Sequence, residues 1–424
     1  MSTLFRETLS SLRESSYRPL WFLTLVSNTA QWAFTMAIGW ESYALTHSSI
    51  WVGATIFASL APNLLGAPVA GVLADRFDRR QLLFASLMVT ALATAAIAAA
   101  IAGGVLSPLL IVLLTLLFGL AGAVRNVSLN ALLPGLVPRR LLLNAISLQG
   151  VAQRGTEFVG PAAASLLLAT TGTASVFLIT AVLFGASALF LRGIPAADRT
   201  AGDASPGLLQ PLREGFQYIR GLPGVRTIVA VVGFHCTLTM AYLGILPQFV
   251  GQSLASGSGT YGLLVTLVGL GAILGTLGLA PISDERQRGR LYLATAVLSG
   301  LSLSVLGVSR SEIAAAVAIV LVGASQAMFM TLSLAHLQSD VAESMRGRAV
   351  GAYYVLAAGV MALANWLYGV LASSIRPASL MLVLGLAFVV VVARYLLRSQ
   401  TFRRICAIGE PQVASAAPAL EDRA

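Results

Sequence analysis

The 424-residue chain contains no lysine; all 27 of its cationic side chains are arginine. Two cysteines, Cys236 and Cys406, and three histidines are too few for a disulfide scaffold or a multi-cysteine metal site. Charged residues make up only 10% of the chain, against about 25% in an ordinary soluble domain. A nucleic-acid binder with a net charge of +10 would need broad solvated basic faces, which so few charges cannot coat. There is no His-Glu-x-x-His pair, no cysteine cluster and no Walker loop, so neither catalysis nor ATP drive is supported. A filter-like loop or charged ring, which a channel would need, is also missing. What is abundant is apolar: 57% of residues are of the AVILMFWYC set and the mean hydropathy is +0.84.

A helix crosses a bilayer with about 20 predominantly apolar residues. Twelve stretches qualify. The first six are Leu20–Leu45, Ile50–Leu73, Leu82–Ala102, Pro108–Leu133, Leu142–Ala169 and Ala174–Leu191. After a polar break come Thr227–Val250, Thr260–Ile282, Leu291–Val308, Ile313–Ala335, Val350–Ser373 and Leu380–Leu397. The ten-residue alternation of a membrane barrel is absent, so the expected class is an all-α polytopic membrane protein. The first 20 residues carry Arg6, Glu7, Arg13, Glu14 and Arg18, and no cleavable signal peptide is expected.

Loop charge orients this array. The two termini and every connection from an even to an odd segment together hold 23 arginines; the opposite side holds only Arg310 and Arg376. Positive charge marks the cytoplasmic face, so both termini are expected in the cytoplasm and the number of crossings is even. The net +10 is therefore a sign of topology and gives no reason to expect a nucleic-acid partner. The expected organisation is a cytoplasmic N-terminus (1–19), a six-helix bundle (20–193), a cytoplasmic linker (194–225), a second six-helix bundle (226–398) and a cytoplasmic, disordered tail (399–424). Within the linker, Leu212, Phe216 and Ile219 recur at helical spacing, which predicts a short amphipathic helix on the cytoplasmic face.

The halves read as copies. At an offset of 209, Gly66 aligns with Gly275, Asp75 with Asp284, Arg79 with Arg288 and Leu82 with Leu291. Parallel six-helix repeats are a transporter architecture with the substrate cavity between them. The loop from Gly71 through Asp75, Arg76, Asp78, Arg79 and Arg80 to Leu83 resembles the signature of the major facilitator superfamily, with Asp78 in place of the usual second glycine. Other stretches resemble its bacterial secretion-type branch, which includes the enterobactin exporter. They are the run ending at Arg125, Leu136–Arg139 with Asn144–Leu148, Leu212–Arg220, and Arg346–Arg348. Gly155 and then Gly160-Pro161 in the fifth segment resemble a degraded exporter and antiporter element. The resemblance implies the major facilitator fold and export of a siderophore or drug-like molecule across the inner membrane of a bacterium. It also implies that the Asp75–Arg80 loop is a conformational switch, with Asp284 and Arg288 as its repeat-related partner.

Ionisable residues at membrane depth are costly and are functional candidates by default. There are four: Glu41, Arg125, Arg154 and Glu157. Arg154 lies about 18 Å into the fifth segment at ~1.5 Å per residue. Glu157, three residues on, shares its face and can pair with it. The pair is either a proton-coupling element or a static brace. Arg125 stays protonated and could attract an anionic substrate, lower a carboxylate's pKa, or brace the Asp75 loop. Asn28, Gln31, Gln149, Gln153, His235, Gln326 and Asn365 are polar candidates for lining the cavity. The expectation is a monomeric secondary active exporter of a small molecule, without a cofactor and coupled to the proton gradient. Import of a sugar or organic acid, lipid flipping, and a non-transporting sensor on the same fold stay open.

Overall fold

The computed structural model describes residues 10–63, 78–195, 209–282 and 284–407. Gly71, Asp75 and Arg76 lie outside the described residues, as do the linker before Leu209 and the tail beyond Ala407. Regular structure among the described residues is entirely helical.

The first bundle comprises α1 (Tyr17–Thr46), α2 (Ser49–Leu60), α3 (Arg79–Ala102), α4 (Pro108–Leu132), α5 (Leu142–Thr171) and α6 (Thr173–Ser187). A linker helix, α7 (Leu209–Gly221), occupies the amphipathic stretch. The second bundle comprises α8 (Pro223–His235), α9 (Leu246–Ser253), α10 (Ser258–Leu279), α11 (Glu285–Val308), α12 (Glu312–Asp340), α13 (Glu343–Leu371) and α14 (Pro377–Arg398). A short α15 (Gln400–Ile405) follows. Each of the twelve apolar stretches holds helix, and nine helices among the described residues are long and apolar enough to cross a membrane. The starts follow capping chemistry: the hydroxyls of Ser48, Ser107 and Ser311 accept from backbone amides of the first turns of α2, α4 and α12.

The seventh stretch departs from the expected single span. α8 runs to His235, a π-turn covers Cys236–Met240, a 3-10 turn covers Ala241–Gly244, and α9 resumes at Leu246. Backbone groups freed at such a break need partners inside a membrane. Gln326 Nε2 donates to the Thr239 carbonyl at 2.6 Å, and the Gly244 amide donates to Asn365 Oδ1 at 2.9 Å. Similarly, α6 tightens into a 3-10 segment, Ala188–Gly193, at its end.

Within the first bundle α3 packs on α4 and α6, and α1 on α5 and α6; in the second, α10 packs on α12, and α11 on α12 and α14. The bundles meet along two seams, α5 with α10 and α2 with α13. The repeat exchanges these seams, since α2 corresponds to α10 and α5 to α13. α7 lies on the second bundle: Glu214 pairs with Arg348 at 2.8 Å, and the Ala342 amide donates to Tyr218 Oη at 3.3 Å.

Candidate transport site

Both seams are closed on the side away from the termini. A Cβ added at Gly53 would lie 2.6 Å from the Asn365 carbonyl oxygen, and one at Gly369 would collide with the Ser49 carbonyl. Ser49 Oγ also donates to Gln248 Oε1, which ties α2 to α9. In the other seam, Gly262 abuts Ser165, and a Cβ at Gly269 would lie 2.5 Å from the Glu157 carbonyl oxygen. Only glycine permits such close backbone approach between helices.

Toward the termini the same faces lose their partners. Gly150 is seven residues before Glu157, on the same face of α5, and a Cβ there would meet nothing within 4 Å. Gly351 is five turns before Gly369 on α13, and it is equally open. Gln153 and Arg154 on this face of α5 are exposed. The terminal side is fixed by contacts near the chain start: the Ser11 amide donates to Asn144 Oδ1 at 3.0 Å, and Tyr17 Oη donates to the Ala145 carbonyl at 2.8 Å. The molecule is therefore closed on one face and parted on the face that carries the termini.

Arg154 and Glu157 sit where α5 and α10 part. Arg154 Nη1 lies 3.0 Å from Glu157 Oε1 and 3.3 Å from Oε2. The Arg154 side chain is 53% exposed and that of Glu157 only 19%, so the cation faces the opening and the carboxylate the seam. Arg125 is different. It is 1% exposed, and its Nη2 donates to Gln31 Oε1 at 2.6 Å. Its guanidinium stacks over Phe184 at 5.1 Å, beside the stacked Phe34–Phe118 pair. Nε and Nη1 have no hydrogen-bond partner among the described residues. A buried guanidinium left with two open donors is costly unless something anionic or polar completes it. Gly160 packs against Thr29 and Trp32, which places Glu157 and the Gln31–Arg125 contact within about one helical turn in depth.

The other residues singled out by sequence divide. Gln149 is buried and donates to Thr24 Oγ1. Asn28 is half-buried on α1, and Glu41 is half-buried near its far end beside Trp40, which packs against Tyr261. His235, Gln326 and Asn365 do not line an opening in this conformation. His235 Nε2 is 3.0 Å from Ser299 Oγ, and its ring packs between Phe329 and Phe388. Gln326 and Asn365 brace the break after α8, because that use satisfies exposed backbone where a cavity contact would not. Gly160 does pack tightly and Pro161 is buried in α5, whereas Gly155 meets open space. Arg79 donates from Nη1 to the Ala131 carbonyl at 3.1 Å, tying α3 to the end of α4. Arg80 is half-buried beside it. Asp284 caps α11 through the Gln287 amide, and Arg288 Nε donates to the Ile282 carbonyl.

Sequence reasoning missed Asp78. Its Oδ1 accepts from the amides of Arg80 and Gln81, so the residue replacing the customary glycine is the N-cap of α3. An acid directly before a helical stretch was the available signal. Gln248 was also missed, because the chemistry it serves is a contact between bundles.

Comparison with known proteins gives a consistent set. A family model described as transmembrane secretion effector matches residues 6–411. The enterobactin exporter EntS of Shigella boydii serotype 18 is 25% identical over 336 residues, covering 79% of this chain and 80% of that protein. Its counterpart in Escherichia coli O139:H28 is 24% identical over the same coverage. Among solved structures, a D-xylose–proton symporter superposes with a TM-score of 0.71 at 13% identity, covering 90% of this chain and 98% of that one. The nucleoside transporter NupG gives 0.69 at 12% identity, with coverage of 90% and 98%. These last two likenesses concern the fold.

Proposed function

The chain belongs to the transmembrane secretion effector family of the major facilitator superfamily, and from that premise we propose that this integral membrane protein is a secondary active exporter. In this reading the twelve helical stretches are twelve crossings of a bacterial inner membrane, both termini are cytoplasmic, and a monomer is the working unit. The cargo is a small amphipathic molecule. The relatives named as enterobactin exporters favour a siderophore, and a drug-like compound fits the same chemistry.

The observation that carries the proposal is the pair of seams, shut on the far face and parted toward the termini. With the termini cytoplasmic, this is the conformation that loads from the cell interior, and rocking of one bundle against the other exposes the cargo outside. Glu157 lies at the pivot of that motion. Ionised, it forms a neutral pair with Arg154, and a neutral pair is what closure of the terminal side over bound cargo can bury. Protonated from the far side, Glu157 leaves the Arg154 cation unpaired, which favours return to the conformation that exposes Arg154 on the terminal side. A proton taken up from outside and released inside would in this way drive export. Arg125 offers its two open donors to an anionic or phenolic oxygen of the cargo, with Phe184 as an apolar wall.

The direct test is Glu157→Gln. It is expected to abolish pH-driven efflux in vesicles while expression stays at the wild-type level; undiminished efflux would remove Glu157 from the coupling mechanism.

A further inference from the structure

On the outer flank of the first bundle, a pocket of about 580 Å³ opens between the start of α3 and the end of α6. Neither helix belongs to a seam between the bundles, so this pocket is separate from the transport site. Two arginines, Arg80 and Arg192, line it at the level where the helices emerge toward the terminal side. Next to them the walls are apolar: Phe84 and Met88 from α3, and Leu189 from α6, with Phe84 and Leu189 exposed. One acid, Asp78, also lines it, but its Oδ1 is taken by the amides of Arg80 and Gln81. The lining thus pairs a net positive rim with an apolar slot running along the membrane-spanning helices.

The second bundle shows how the corresponding cleft is treated when the chain closes it. The repeat offset of 209 carries Arg80 onto Gly289 of α11. There α15 folds back: a Cβ at Gly289 would lie 2.5 Å from the Ile405 carbonyl oxygen. Phe402 is fully buried, with its ring 6.2 Å from Tyr292 of α11 and 5.8 Å from Tyr395 of α14. An aromatic side chain plugs the α11–α14 cleft. In the first bundle the position matching Phe402 is Gly193, which packs against Pro19 of α1 instead, and the α3–α6 cleft keeps its pocket.

We propose that this α3–α6 pocket binds one anionic phospholipid from the leaflet on the terminal side, its phosphate between Arg80 and Arg192 and an acyl chain along Phe84, Met88 and Leu189. A basic pocket between membrane helices with an apolar slot beneath it suits a lipid headgroup better than a soluble phosphate, which would leave the slot unfilled. The lipid does for the first bundle what Phe402 does for the second.

The test uses the full-length protein extracted from vesicles of equal phosphatidylglycerol and phosphatidylcholine, with retained lipids counted by native mass spectrometry. Wild type is expected to retain one phosphatidylglycerol preferentially. Arg80→Ala and Arg192→Ala should each lower that preference about fivefold, while Arg139→Ala, on another loop, should not. Gly185 also lines the pocket, and a Cβ there meets nothing within 4 Å. Gly185→Leu should therefore fold, melt no lower than wild type in pure phosphatidylcholine, and abolish the preference although both arginines remain. Three outcomes would overturn the proposal: no preference in wild type, as when the chain's own linker fills the pocket; an equal loss in Arg139→Ala, meaning diffuse surface charge; or displacement of the lipid by inorganic phosphate alone. None of these readouts depends on transport, so failure here leaves the exporter reading untouched.

Discussion

Two arginines at similar depth in the first bundle solve the problem of intramembrane charge differently. Arg154 keeps a carboxylate at 3.0 Å and an exposed head, so water and a counter-charge both offset its cost. Arg125 has one amide acceptor and an aromatic face, and its Nε and Nη1 have no partner among the described residues. A charge kept in that condition is better explained by an intermittent partner than by stability, since an apolar replacement of similar volume removes an uncompensated burial cost. Arg125→Met is accordingly expected to leave the melting temperature at or above the wild-type value. The same change should weaken cargo binding about tenfold or more, the size of a lost charged hydrogen bond; a fall in both would assign Arg125 to packing. Cysteine chemistry offers a second residue-level check. Cys406, beyond the end of α14, is fully buried, and burial pushes its thiol up to about 12. A thiol raised in this way stays protonated until the pH approaches that value. Native protein in membranes is expected to label poorly with maleimide at pH 7 to 8, which leaves the wild type as a quiet background for introduced cysteines; rapid labelling of Cys406 would contradict the packing of Phe402 beside it.

At the scale of elements, the seams set the balance between conformations. Gly269 is where α10 touches the Glu157–Phe158 backbone, and a larger residue must push the helices apart there. Gly269→Leu is expected to cost the far-side-closed state about 1–3 kcal/mol of overpacking. That should raise the accessibility of cysteines placed near Gly262 from the far face, while unchanged accessibility would mean that the seam does not gate. Much at this scale was legible beforehand. Hydropathy located the helices of both bundles because lipid allows few other solutions, and the three-residue spacing of Arg154 and Glu157 dictated their pairing. The tail expected to be disordered from residue 399 instead begins with α15, whose Phe402 is buried against the second bundle. The break after α8 was not legible. Its π-turn depends on Gln326 and Asn365, which lie 87 and 121 residues from the backbone groups they serve. Periodicity also cannot rank polar residues by exposure, which is why His235 reads like a cavity residue yet is walled in by Phe329 and Phe388. Asp78 was read as a lost glycine because the loop pattern drew attention from the capping position.

For the molecule as a whole, the duplication in the sequence implies two bundles related by a repeat, with the exchangeable seams as the expected consequence. The halves are nonetheless specialised. Every charge at membrane depth lies in the first bundle, whereas the second contributes the broken helix, its hydrogen-bonded braces and the docked α7. Chemistry on one side and hinge on the other suits a machine in which protonation of the first bundle must move it against the second. The central claim is that the two bundles swing about the Glu157–Gly269 contact under control of the Glu157 carboxylate. Gly150→Cys and Thr276→Cys place spin labels on the parted faces of α5 and α10, where Gly150 has open space and Thr276 lies seven residues beyond Gly269. Electron–electron distances between them, measured in lipid as the pH is varied, test the claim most directly. The account predicts two distances whose populations exchange with pH and become independent of pH in Glu157→Gln; a single distance unmoved by pH, or the same exchange in Glu157→Gln, would contradict it.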